Sequence, residues 1–136
     1  MKSQLSEQYK VTVAEDIVMV RQMVRKRAMG IGFNLVDQTK IVTATSELAR
    51  NMLDYGGGGV TTVEVVEDGR KKGVRVTFCD KGPGIANLEL AMKDGFTSGG
   101  GMGLGLGGAK RLSDDFAIET APGEGTCITI VRWKSA

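Results

Sequence analysis

The sequence predicts an α+β fold: a two-layer sandwich in which a mixed, mostly antiparallel sheet is covered by helices on one face. Three observations predict it. Most strand-like runs come in adjacent pairs around turn residues, as hairpins do. The helical stretches come in consecutive pairs rather than one between each two strands, which disfavours a doubly wound parallel sheet. The length, 136 residues, suits a single domain over 1–136.

Each element has its own signal. Tyr9, Val11 and Val13 alternate with polar residues and predict a short first strand. Glu15 and Asp16 open a helix running to about Met29, with Arg25, Lys26 and Arg27 in its last turn and Gly30 as its stop. Asn34 or Asp37 caps a second helix that ends near Tyr55, and Ile41, Ala44, Leu48 and Met52 form its apolar stripe. VTTVEVV (60–66) and VRVTFCD (74–80) flank EDGRKKG and read as a hairpin. A tight KGPG loop follows, then a short helix near Asn87 to Lys93. After a glycine run comes another helix from about Leu104 to Asp114. FAIET and TCITIVRW close the chain as a strand pair around APGEG.

Composition excludes several function classes. A net charge of +2 without a basic stripe leaves no footprint for nucleic acid. No apolar run is long enough to span a membrane, and MKSQLSEQYK lacks an apolar signal core, so a cytoplasmic protein with no membrane partner is expected. Cys79 and Cys127 lie in strand-like runs and are expected as reduced, small core hydrophobes. The chain has no histidine, which removes His-activated nucleophiles, His metal sites and a phosphorylatable His. A general base must therefore be a carboxylate or something rarer.

TSGGGMGLGLGGAK (97–110) is half glycine. A linker needs a domain on each side, and too little chain follows Lys110 for a second core. Gly103, Gly105 and Gly108 formally spell G-x-G-x-x-G, but helix and loop precede them where a dinucleotide fingerprint needs a strand. Ala109-Lys110-Arg111 fails the Walker A pattern, and the eukaryotic kinase motifs need a histidine the chain lacks. What remains is a set of backbone N–H groups that can approach phosphate, behind a stretch able to close as a lid.

Two further stretches carry chemistry. In SELARN, Glu47 and Asn51 stand at i, i+4 on one helix face, beside the core residues Leu48 and Met52. Such an acid can act as a base, and such an amide oxygen can bind a hard cation. In DKGPGI (80–85), Asp80 ends a strand and the glycines let a flat ring approach the backbone. Alone, the first is more often a solvated helix face and the second more often a turn with an exposed acid.

Together, Glu47/Asn51, DKGPGI, the glycine run and the late Gly125-Thr126 pair resemble the N, G1, G2 and final boxes of the GHKL ATP-binding superfamily. That superfamily includes gyrase, Hsp90 and MutL ATPases and the histidine-kinase catalytic domain. The resemblance spans nearly the whole chain and implies a Bergerat-type fold with the glycine run as ATP lid. The length leaves no room for a transducer or a histidine-bearing dimerisation domain. SELARN, EDG-RKKG, D-x-GPGI, DGF-TSGG and GAKRL-D-F are most similar to the free-standing serine/threonine kinases of bacterial partner switching, the stressosome switch-kinase branch. Anti-sigma-factor kinases are close relatives, but their N box usually continues N-A-x-x-H-A-Y where this chain reads NMLDYG.

The resemblance implies ATP and Mg²⁺ as cofactors. Asp80 would read the adenine amine, Gly82, Gly84 and Ile85 would line the ring, and Thr126 would support it. Asn51 would ligate Mg²⁺, and Gly101, Gly103, Leu104, Gly105 and Leu106 would surround the phosphates. Glu47 would be the catalytic base. Arg50, Lys110 and Arg111 are equally placed for phosphate contact or for a solvated surface. The implied acceptor is a Ser or Thr on a STAS-domain stressosome scaffold protein, and the implied downstream effector is a metal-dependent serine phosphatase. An anti-sigma kinase and an ATP-gated binding switch without transferase activity are the alternatives.

Overall fold

The structure, a computed structural model, describes residues 1–87, 92, 97–98, 102–103 and 105–135. In chain order its elements are β1 (Lys2–Val11), α1 (Ala14–Gly30), α2 (Leu35–Gly56), β2 (Gly59–Asp68) and β3 (Lys71–Asp80). The two-residue strands β4 (Thr97–Ser98) and β5 (Met102–Gly103) follow, then α3 (Leu106–Arg111), β6 (Asp115–Thr120) and β7 (Thr126–Trp133). Five strands form one sheet in the order β1-β2-β3-β7-β6, while β4 and β5 pair only with each other. The predicted sandwich is present. The sheet is wholly antiparallel among the described residues rather than mixed.

The two long helices cover one face. The α1 residues Ile17, Val20, Val24 and Ala28 are buried together with the predicted α2 stripe Ile41, Ala44, Leu48 and Met52. From the sheet, Val74, Val76, Phe78, Ile128 and Ile130 join the same core. Strand alternation then turns Arg75, Thr77 and Cys79, with their cross-strand partners Val131, Thr129 and Cys127, to the opposite face.

The caps follow from local chemistry. Asp16 accepts from the Thr12 and Val13 backbone N–H groups at 2.9 and 3.1 Å, which closes the start of α1 and holds its carboxyl below the usual range. Asn34, the first of the two candidates, caps α2 by accepting from Asp37 N at 2.8 Å. Gly57, at φ 75°, ends that helix in the left-handed region.

At its far end the sandwich is tied by a buried ion pair. The Arg132 guanidinium donates to Asp37 Oδ1 at 2.7 and 3.1 Å and to the Leu112 carbonyl at 2.9 Å. Ser135 donates to the other Asp37 oxygen. These hydrogen bonds, first from Ser135 and then from Arg132, hold the Asp37 carboxyl below its ordinary value despite burial. One acid thus joins the start of α2, the end of β7 and the chain just after α3.

Four expectations are corrected. The first strand begins at Lys2, well before Tyr9, and Val13 is the N-cap of α1 rather than a strand residue. The β2–β3 turn is only Gly69-Arg70, because the flanking charged residues pair across the strands. The helix expected over Leu104–Asp114 spans Leu106–Arg111. Cys79 and Cys127 face each other on neighbouring strands and are joined as a disulfide, not reduced core residues. The helix expected near Asn87–Lys93 falls largely outside the described residues.

Candidate functional site

The candidate site grows from the ends of α2, β3 and β7. The last rung of the β3–β7 ladder pairs Asp80 with Thr126, and the α2 residues Asn51 and Gly56 lie beside it. A cleft opens there, with about 490 Å³ of empty space that is partly open solvent. Its walls are mostly apolar, with Leu48, Met52, Phe78, Pro83, Ile85 and Leu106 among them. Asn51, Asp80, Gly84 and Thr126 also line it.

Asp80 is fixed by its own turn: Gly82 N donates to Asp80 Oδ1 at 2.9 Å. The fit around that carboxylate is close. A side chain at Gly56 would run into it, and one at Gly82 would come within 2.6 Å of the Gly56 Cα. Gly84 has φ +74°, and a Cβ there would strike the Ala121 carbonyl oxygen. Gly84→Ala is therefore expected to destabilise the fold by more than about 1 kcal/mol, combining left-handed strain with a backbone clash. Chemical denaturation of the purified variant measures this; wild-type stability would remove the constraint from Gly84.

Behind the turn lies a small hydroxyl network. Ile85 N donates to Thr120 Oγ1 at 2.9 Å, Thr120 Oγ1 donates to the Gly125 carbonyl at 3.2 Å, and the Thr120 and Thr126 hydroxyls are 2.8 Å apart. A hydroxyl carries a single proton. With the Thr120 proton on Gly125, the Thr126 hydroxyl donates to Thr120 and presents its own lone pairs to the cleft.

Asn51 is buried, and its Nδ2 has no hydrogen-bond partner. An unpaired buried amide costs free energy, and a polar ligand in the cleft would relieve it. Glu47, one turn earlier on α2, is exposed and does not line the cleft. Its Oε2 lies 2.6 Å from where a Cβ on Gly105 would sit, so it stands against the residue that leads into α3. Gly105 itself, at φ 66°, is the N-cap of α3.

The structure thus gathers Asn51, Asp80, Gly84, Ile85, Leu106 and Thr126 around one cleft, with Gly82 bonded to Asp80 and Gly105 beside Glu47. Gly103 ends β5, whereas Gly101 and Leu104 lie outside the described residues. Arg50, Lys110 and Arg111 are exposed. Sequence reasoning missed Gly56 and Thr120. The four glycines after Tyr55 could have pointed to a close approach at Gly56, whereas nothing in FAIET singles out its threonine. Among the described residues there is no group of three or more His, Cys, Asp or Glu side chains able to hold a metal. None of the described helices is long and apolar enough to cross a membrane.

Residues 36–136 match the family of histidine kinase-, DNA gyrase B- and HSP90-like ATPases, and the chain belongs to it. Within that family it is a serine/threonine kinase of the RsbT type. It is 48% identical to the serine/threonine-protein kinase RsbT of Bacillus subtilis over 87% of this chain and 89% of that protein. Two solved structures share the fold. The RsbU and RsbW domains of Rv1364c from Mycobacterium tuberculosis superpose with a TM-score of 0.65 at 22% identity over 98% of this chain, which spans about a third (34%) of that one. The SiaB–SiaC complex from Pseudomonas aeruginosa gives 0.55 at 13% identity, covering 97% of this chain and 91% of its counterpart.

Proposed function

We propose that the chain transfers the γ-phosphoryl group of Mg-ATP to a Ser or Thr of a STAS-domain scaffold protein in a stressosome-type partner switch. It is then released to act on an effector such as a metal-dependent serine phosphatase. One observation carries the reading: an acid, a buried amide and a threonine converge on a single apolar cleft. Such a cleft suits a flat base bearing an exocyclic amine. Asp80, with one oxygen held by Gly82, accepts from that amine through the other, and Thr126 offers a second acceptor.

Asn51 would hold Mg²⁺ through its amide oxygen. A single protein ligand fits a cation that keeps waters and phosphate oxygens as its other ligands. When bound, Mg²⁺ neutralises charge on the phosphates during transfer. Gly101, Gly103, Leu104, Gly105 and Leu106 would direct backbone N–H groups at those phosphates. Glu47 would take the proton of the incoming hydroxyl. Support for a serine/threonine acceptor comes from the RsbT relative, a serine/threonine-protein kinase.

Incubation with γ-labelled ATP and a STAS-domain protein tests the reading. Label on the partner is the expected result. A tight unlabelled complex would favour a binding switch, and capture of a sigma factor would favour the anti-sigma branch. Asp80→Asn is expected to weaken ATP binding roughly 10- to 150-fold, since a charge-assisted hydrogen bond contributes ~1.5–3 kcal/mol. Unchanged affinity by calorimetry in a folded variant would remove Asp80 from the adenine site.

A further inference from the structure

We propose that Cys79 and Cys127 are a reversible thiol–disulfide modification site that sets the nucleotide affinity of the cleft. The proposal rests on the ATP reading of that cleft. The two cysteines are direct partners on the adjacent strands β3 and β7, with Cα atoms 4.1 Å apart. The next rung of the same ladder is Asp80–Thr126, the pair that lines the cleft. The link therefore stands one residue from both.

Position gives the link its leverage. Beyond Asp80–Thr126 the ladder ends, and the ends of ladders open more readily than their middles. Asp80 and Thr126 belong to segments far apart in sequence, and beyond the ladder only hydrogen bonds such as Gly123 N to the Pro83 carbonyl and Ile85 N to Thr120 tie those segments. A covalent bond on the preceding rung keeps the carboxylate and the hydroxyl in register, so ATP binding no longer has to order them.

The chemistry has its own access. Alternation puts both sulfurs on the sheet face opposite the helices, where the cysteines are half-buried. Cys127 lines a shallow depression with Glu119, Glu124 and Gly125, which shares Asp80 and Thr126 with the lining of the cleft. An oxidant can thus reach Cys127 from this depression, beside the cleft. The nearby carboxylates disfavour an anionic reagent, so a neutral low-molecular-weight disulfide suits the site.

The exchange balances in two steps. One cysteine thiolate attacks the small disulfide, forming a mixed disulfide and expelling one small thiolate. The second cysteine thiolate attacks the protein sulfur of that mixed disulfide and expels the other. Two electrons pass from the cysteines to the small disulfide, which leaves as two thiols after taking up the two cysteine protons. A dithiol reductant runs the sequence backwards.

The test uses the full chain equilibrated with 2-hydroxyethyl disulfide or with dithiothreitol. Thiols are counted, non-reduced peptides are mapped, and Mg-ATP binding is measured by calorimetry. The expected result is an intramolecular Cys79–Cys127 link with about fivefold tighter binding in the oxidised form. Cys127→Ser and Cys79→Ser, each shown to be folded, should bind with reduced wild-type affinity under both conditions. Two thiols persisting in excess disulfide, or equal affinity in both wild-type forms, would overturn the proposal. Absence of Mg-ATP binding in both forms would instead bring down the ATP reading, and this proposal with it.

Discussion

Glu47→Ala is expected to leave Mg-ATP and partner binding near wild type while slowing phosphoryl transfer by about 10²–10⁴-fold, the usual contribution of a general base. The separation of roles follows from position. Asn51 is buried in the cleft wall, whereas Glu47 is exposed one turn away, outside the lining and against Gly105. A group placed there has no need to touch the bound nucleotide. Its exposed carboxylate beside Gly105 is free to meet an incoming hydroxyl. Single-turnover phosphorylation of the partner, with both binding constants measured in parallel, separates the outcomes. Transfer at the wild-type rate by a folded Glu47→Ala protein would make Glu47 an ordinary surface carboxylate.

Asp37→Ala carries the largest expected loss of stability, about 3 kcal/mol, the low end for breaking a buried ion pair. The low end applies because the Arg132 side chain retains 13% exposure and keeps its bond to the Leu112 carbonyl. A loss of that size corresponds to a fall in Tm of roughly 10 °C. The pH dependence has a definite sign. The folded-state carboxyl of Asp37 is depressed, so its contribution is fully present above the ordinary carboxylate range. It is lost as pH falls through the depressed folded value. The stability gap between wild type and Asp37→Asn should therefore be flat near neutrality and shrink in acid. A gap below about 1 kcal/mol, or one constant down to pH 3, would class the pair with ordinary surface ion pairs.

The fold was legible wherever apolar periodicity was strong. The α2 stripe of Ile41, Ala44, Leu48 and Met52 is buried as its spacing requires, and the hairpin turns fall at glycines with positive φ, Gly69, Gly123 and Gly125. The start of β1 was not legible. An edge strand needs few apolar residues, and Lys2–Gln8 is nearly all polar, with the half-buried Leu5 and Glu7 turned inward. The cysteine pairing was hidden for a different reason. It depends on β3 and β7 being neighbours across a separation of 48 residues, which no local pattern reports. In the candidate site, side chains with distinctive chemistry such as Asp80 and Asn51 announced themselves. Gly56 and Thr120 matter only through what packs against them, and that is a tertiary fact.

The anchoring of Ile85 and Gly105 has a consequence for how the chain can vary. Ile85 is tied to Thr120, and a Cβ on Gly105 would meet Glu47 Oε2 at 2.6 Å, so tertiary contacts fix both positions. A single side chain at Gly56 or Gly84 likewise collides at once with the carboxylate or with backbone. Substitutions at Gly56, Gly84 and Gly105 are therefore costly whatever the incoming side chain. The chain can vary least where its backbone passes closest to the two carboxylates, Asp80 and Glu47.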